Sequence, residues 1–297
     1  MIRNTVAILA ETLITGSSDE SLCNMRPVTI ALLIAGTVAT CNAQWIHYRN
    51  PRVPRTRDGK PDLTARAPRT PDGKPDLSGI WQVKPSPWDE LKPLVGNMND
   101  LFVPGDDLMD FSKYALNILA DFKPEEEPIR PEAKAALREP GRPVNSCLPQ
   151  GIPFVYLLPV PSKWIQTPGY LAIVFEGMNG VRQVYLDGRK PPADREPLWQ
   201  GYSTGKWEGD TLVIDTVGFN DKTSLDAMGH PHSEDLHETA RYHRRDFGHM
   251  DVEVTIEDPK IYTRPFRIQY TDDLLPDTDI LEYVCQENEK DAPHMSK

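Results

Sequence analysis

From Trp164 onward the apolar residues return at every second position, and that period decides what this chain can fold into. Successive side chains of a strand point to opposite faces, so Val252, Val254 and Ile256 alternating with Glu253 and Thr255 describe one dry face and one wet face. The pattern predicts strands over 164–166, 170–176, 181–187, 202–207, 211–217, 236–246, 250–257, 264–271 and 280–286. Asn179-Gly180, Glu208-Gly209-Asp210 and Phe247-Gly248 supply the hairpin chemistry between them. Short strands joined by tight turns predict an antiparallel up-and-down sheet, closed most economically as a β-barrel. The 29 prolines in 297 residues oppose a helical bundle or a doubly wound sheet, because Pro breaks helices and central strands.

Upstream of the strands the periodicity changes. Residues 83–160 read as an insertion, with Leu108, Phe111, Ala115, Ile118, Leu119 and Phe122 at helical spacing over 107–122. A shorter helix is predicted from Pro131, a favourable first position, through Leu137. Residues 44–78 carry an imperfect 14-residue repeat: Arg55-Thr-Arg-Asp-Gly-Lys-Pro-Asp-Leu-Thr64 returns as Arg69-Thr-Pro-Asp-Gly-Lys-Pro-Asp-Leu-Ser78. Its turn residues and scant apolar content predict an extended, Pro-rich stem that lies on the surface or links to it. The expected fold class is all-β with minor α. One barrel domain spans 79–288 with a partly helical insertion, and a tail follows at 289–297.

The first forty residues read as an address. From Met25, one basic residue (Arg26), an apolar run from Val28 to Val38 and small residues to Ala43 make a secretory leader over 25–43. Residues 1–24 carry Glu11, Asp19 and Glu20 where such a leader is basic, so they read as an upstream extension with Met25 as the true start. Cleavage after Ala43 is favoured over acylation of Cys41 in Val38-Ala39-Thr40-Cys41, and the run is too short for an integral membrane span. A periplasmic or secreted location follows. Cleavage leaves Cys147 and Cys285, and two cysteines in an oxidising compartment predict one disulfide. With 33 basic against 44 acidic residues, a net charge of −11, nucleic acid and anionic membranes are excluded as partners.

Gly79-x-Trp81 ahead of the strand run resembles the first-strand signature of lipocalin-like barrels. Thr167-Pro-Gly169, Trp207-Glu-Gly-Asp-Thr-Leu212, Val217-Gly-Phe-Asn-Asp221, Gly229-His-Pro-His-Ser233 and Glu257-Asp-Pro-Lys-Ile-Tyr262 resemble a family of secreted bacterial proteins mostly called hypothetical. The resemblance covers about residues 69–288 and implies no established reaction. Where the family pattern follows Thr239 with Glu and Arg, this chain has Ala240 and Arg241, so no role of that glutamate carries over.

Chemistry concentrates between 221 and 241. Asp226 beside His232 makes an acid–base pair, because a carboxylate fixes the imidazole tautomer, and Arg241 is the cation to hold a ligand oxygen. Ligand contacts are expected from Asp221 and His230 on the same loop, from Tyr202 and Trp207 as an aromatic wall, and from Glu176. Glu176 is also expected to pair with Arg182 across the Asn179-Gly180 turn. His230, His232 and His237 with Asp226 or Glu234 are the ligands a divalent metal would use, although their spacing is not that of a specific metal motif. No cofactor fingerprint is present. The leading expectation is a secreted barrel binding a small organic molecule at its mouth. The alternatives are a lyase, isomerase or hydrolase using the His/Asp pair or a metal, and a cell-envelope interaction protein docking through the stem.

Overall fold

The alternating segments fold as nine strands that close on one another in a single barrel, in a computed structural model that describes residues 49–95, 111–134, 137, 148–177 and 180–282. These are β1 (Gly79–Val83), β2 (Ser162–Thr167), β3 (Tyr170–Phe175), β4 (Val181–Tyr185), β5 (Tyr202–Glu208), β6 (Thr211–Val217), β7 (His237–Arg244), β8 (His249–Glu257) and β9 (Phe266–Leu274). All the described residues fall in one compact unit, Tyr48–Lys297.

The ring has one irregularity, and arithmetic requires it. Nine strands cannot alternate in direction all the way round a closed ring. The expectation of a wholly antiparallel sheet is therefore corrected at one seam, where β4 and β5 run parallel through Val184 opposite Ser203 and Tyr185 opposite Thr204. A parallel neighbour needs the chain to return along the barrel, and the proline-bearing segment 186–201 does this. β9 pairs with β1 through Trp81 opposite Leu274, which leaves the sheet without an edge. No strand forms at 280–282, and 283–286 lie outside the described residues. Closure explains the first of these, because the strand expected at 280–286 has no edge to join. Segment 275–282 is instead pinned outside the wall: Lys163 meets Asp279 at 2.8 Å, and the Leu281 N–H donates to Glu176 at 3.0 Å.

One end of the barrel carries the long connections. Four short helices occur among the described residues there: α1 (Trp88–Val95), α2 (Lys113–Leu116), α3 (Pro131–Lys134) and α4 (Phe154–Leu157). The helix expected over 107–122 survives only as α2, with 107–110 outside the described residues. It stops at Asn117, whose side chain takes the Leu119 N–H at 2.8 Å while Asp226 takes the Ile118 N–H at 2.6 Å. Side-chain capture of this kind competes with the helical ladder. The apolar spacing still serves, since Ala115, Ile118 and Leu119 are buried in the main core.

The opposite end is closed by the 14-residue repeat. Each copy folds into the same small loop: Thr56 N–H donates to Lys60 O as Thr70 N–H does to Lys74 O, and the Thr56 and Thr70 hydroxyls bond Asp58 and Asp72. Both loops dock. Arg55 forks onto Asp277 at 2.5 and 2.7 Å, Arg69 forks onto Asp210 at 2.5 and 2.9 Å, and the Gly248 N–H donates to Leu63 O. Arg244, buried between the rings of Trp81 (4.9 Å) and Phe247 (5.2 Å), donates to the carbonyls of Asp76, Asp246 and Phe247. Burial brings its guanidinium down to about 10. Gly79 sits at φ +152, where a Cβ would lie 2.6 Å from Leu274, so the first strand needs glycine at that point.

The disulfide expected between Cys147 and Cys285 is withdrawn, because no two of the four cysteines come near disulfide distance. Both residues lie outside the described part of the chain, as do the leader at 25–43, the extension at 1–24 and the tail at 289–297. Among the described residues, no helix is long and apolar enough to cross a membrane.

Candidate functional site

Two groups of polar side chains lie toward the end that carries the long connections. The first is on the 218–236 connection between β6 and β7. Asp226 is fully buried and meets His230 twice, accepting the backbone N–H at 3.1 Å and facing Nδ1 at 2.5 Å. A carboxylate only accepts, so Nδ1 carries the proton and Nε2 offers a lone pair. The Ile118 N–H holds the same carboxylate from α2's side, which fixes the imidazole plane. Nε2 of His230 has no hydrogen-bond partner among the described residues.

His232, expected as the partner of Asp226, is engaged elsewhere. Its Nδ1 faces the Ser233 carbonyl at 3.1 Å, its Nε2 accepts from the Thr223 hydroxyl at 2.7 Å, and its ring packs edge-on to Phe219. Ser233 donates to Asp258 at 2.9 Å through its hydroxyl, a loop-shaping contact. Asp221 is exposed at the start of the loop.

Arg241 is not brought to this loop. Ala240 and Tyr242 face the barrel interior, so the period of two sends Arg241 outward, where it pairs with Glu208 at 3.0 Å. It lines an open outer groove of about 460 Å³ with Thr211, His243, Asp251 and Glu253. Tyr202 is half-buried and stacks on Tyr185 at 5.2 Å, and Trp207 packs against the core under Lys74. Glu176 lines a second groove of about 400 Å³ with Val181 and Leu281. Its expected partner Arg182 points the other way, since the register sets Arg182 opposite Ile173 on the inner face. His237 meets Asp215 at 3.3 Å on the outer wall. Among the described residues no three of His, Cys, Asp or Glu gather as metal ligands.

The second group lies inside the barrel, and sequence reasoning passed over it. Ser203, Thr216 and Glu238 are direct neighbours across β5, β6 and β7, and Arg182 reaches them from β4. The Arg182 guanidinium donates to Ser203 at 3.0 Å, Tyr156 at 3.1 Å, Thr216 at 2.8 Å and Glu238 at 3.4 Å. Arg182 and Glu238 are 2% and 1% exposed, so this ion pair is dry. Glu238 Oε2 and the Tyr270 hydroxyl are sealed from solvent with no partner among the described residues. Burial pushes the Glu238 carboxyl up against the opposing pull of Arg182, and it pushes Asp272 well above the usual carboxylate range, with Asp273 adding to the effect. The same cause holds Tyr242 and Tyr270 neutral and lifts Tyr156 to about 12. The signal for this group was parity: Glu238 shares the phase of Ala240 and Tyr242, and Arg182 that of Val184.

Comparison of the chain with protein-family models, curated protein sequences and solved structures gives no match.

Proposed function

We propose that this protein is an enzyme performing general acid–base catalysis on a small organic molecule, in the class of hydrolases, lyases and isomerases, with His230 moving the proton and Asp226 orienting it. The observation that carries this reading is the 2.5 Å contact between Asp226 Oδ2 and His230 Nδ1. A carboxylate held by two backbone amides fixes both tautomer and ring plane, and it stabilises the imidazolium that forms when Nε2 takes a proton. A passive carrier has no need of an oriented imidazole. A lipocalin-like origin for the scaffold belongs to the same reading, supported by Gly79 and by Trp81 packed beneath Arg244. So does export from the cytoplasm, supported by the leader pattern of residues 25–43.

The test is turnover of a panel of esters, lactones, amides and enolisable ketones by the purified protein and by His230→Gln. Loss of about 10²–10⁴-fold in His230→Gln, with the melting temperature within a few degrees of the parent, is expected. Equal rates in both proteins, or no turnover in any class, refute it.

A further inference from the structure

The barrel interior carries a chemistry that the His230 loop does not use. A dry ion pair is a weak stabiliser, since taking two charges out of water offsets their attraction, and an apolar pair of the same volume serves a core as well or better. Orphaned polar atoms add to the cost, at about 1–3 kcal/mol each. The interior of this barrel keeps both: Arg182 with Glu238, and the unpartnered Glu238 Oε2 and Tyr270 hydroxyl. A binding site explains their retention, because the partner they lack arrives with the ligand.

We propose that the barrel lumen binds a small neutral carbonyl compound that also carries an N–H or O–H group. The two unpartnered atoms define the hydrogen bonds. Glu238 Oε2 accepts, so the ligand brings a donor, and the Tyr270 hydroxyl donates to the ligand's carbonyl oxygen. Charge defines the rest. The cation of Arg182 is balanced by Glu238, and Asp272 on the strand of Tyr270 is a buried carboxyl. A carboxylate ligand therefore meets two acids, and an ammonium ligand meets a guanidinium that is already committed. The surrounding side chains are aromatic: Tyr156 packs edge-on to Phe175 at 5.0 Å, and Trp164 to Tyr242 at 5.0 Å. Such walls favour a flat apolar body on the ligand.

The lumen has a built-in weak point for entry. β4 and β5 share only two registered residue pairs, whereas β5 and β6 share seven. Beside this seam Gln200 is buried, and among the described residues its Oε1 has no partner while its Nε2 reaches the Gln150 carbonyl at 3.5 Å. A side chain held so loosely yields to an entering molecule at small cost.

Three probes of one shape and different charge test the proposal by titration calorimetry on the full chain: benzamide, benzoate and benzamidine. Benzamide is expected to bind the parent protein at least about tenfold more tightly than either ion. Tyr270→Phe, which removes an orphaned hydroxyl and so folds with equal or higher melting temperature, should weaken benzamide about tenfold. Glu238→Gln leaves Arg182 uncompensated, and the preference should move toward benzoate. His230→Gln should leave benzamide binding unchanged, which separates this site from the acid–base reading of the loop. Absence of benzamide binding, binding of either ion as tight as benzamide, or indifference to Tyr270→Phe would each overturn it.

Discussion

Replacing Arg182 with methionine should destabilise the fold by about 3–5 kcal/mol near neutral pH, because it breaks a buried ion pair from one side. The magnitude follows from what is left behind. Ser203 and Thr216 keep each other at 3.0 Å, so they lose little. Tyr156 loses its Arg182 contact at 3.1 Å, and Glu238 loses its ion-pair partner Arg182 within a site that is 1% exposed. An unpaired carboxylate there takes up a proton instead, so the penalty depends on pH. Glu238 already sits above its ordinary value through burial, and loss of Arg182 removes the pull that opposes burial. A carboxyl raised in the folded state contributes stability below its unfolded value and loses it as pH rises through the folded one. The deficit of Arg182→Met should therefore shrink toward pH 5 and grow toward pH 8. The double variant Arg182→Met, Glu238→Leu removes both charges and should recover at least half of the loss. Urea unfolding monitored by tryptophan fluorescence at pH 5 and pH 8 measures all three proteins. A single-variant cost below about 1 kcal/mol at pH 8 refutes the account of a dry ion pair, and so does a double variant no more stable than the single.

Three other outcomes follow from the same structure. Asp272→Asn should flatten the decline of stability with rising pH: burial raises Asp272, so the parent loses up to about 1.4 kcal/mol per pH unit from about pH 4 up to the folded value, and denaturant midpoints across pH 4–8 check the slope. Asp226→Ala should lower stability by about 2–4 kcal/mol, because Ile118 N–H and His230 lose a fully buried acceptor, whereas exposed Asp221→Ala should stay within about 0.5 kcal/mol; thermal melts compare them. Deleting residues 49–76 should lower the melting temperature by at least about 10 °C, since the repeat supplies carbonyls to Arg244, Phe247 and Gly248; an unchanged melt would mean a detachable stem.

The barrel was legible because period-two alternation is local, and a strand needs only its own residues to declare which face is dry. β6 was read to the residue, and β3, β4, β5, β7 and β8 to within two residues at either end. Closure as a barrel was expected, but which strands close it was not legible at this level. Which strand meets β1 depends on ring parity and on where 186–201 leads the chain, and neither is written in any one segment. Of the strand expected at 280–286, the described part, 280–282, is not a strand for that reason, since the sheet has no edge left to receive it. The repeat lies on the barrel, one of the two placements its composition allowed, and its backbone carbonyls with its Arg55 and Arg69 forks do the docking that composition does not announce.

The site shows where local reading needs its own second step. Asp226, His230, His232 and Arg241 were singled out by residue type and nearness in sequence, and nearness paired Asp226 with His232, whereas the carboxylate meets His230 within the same turn. It failed for Arg241 because a strand sends neighbours to opposite faces, and the apolar Ala240 and Tyr242 beside it already mark the inner phase. The same phase, applied to β7 and β4, singles out Glu238, Arg244 and Arg182 as charges on dry faces. A charge on the apolar phase of a strand must be paired, capped by carbonyls or turned toward a ligand, because water cannot reach it. Arg244 meets the second condition at the repeat end. Arg182 and Glu238 meet the first only in part, since one oxygen of Glu238 is left over. That remainder, rather than the crowd of histidines, is what distinguishes the interior of this barrel from a core built for stability alone.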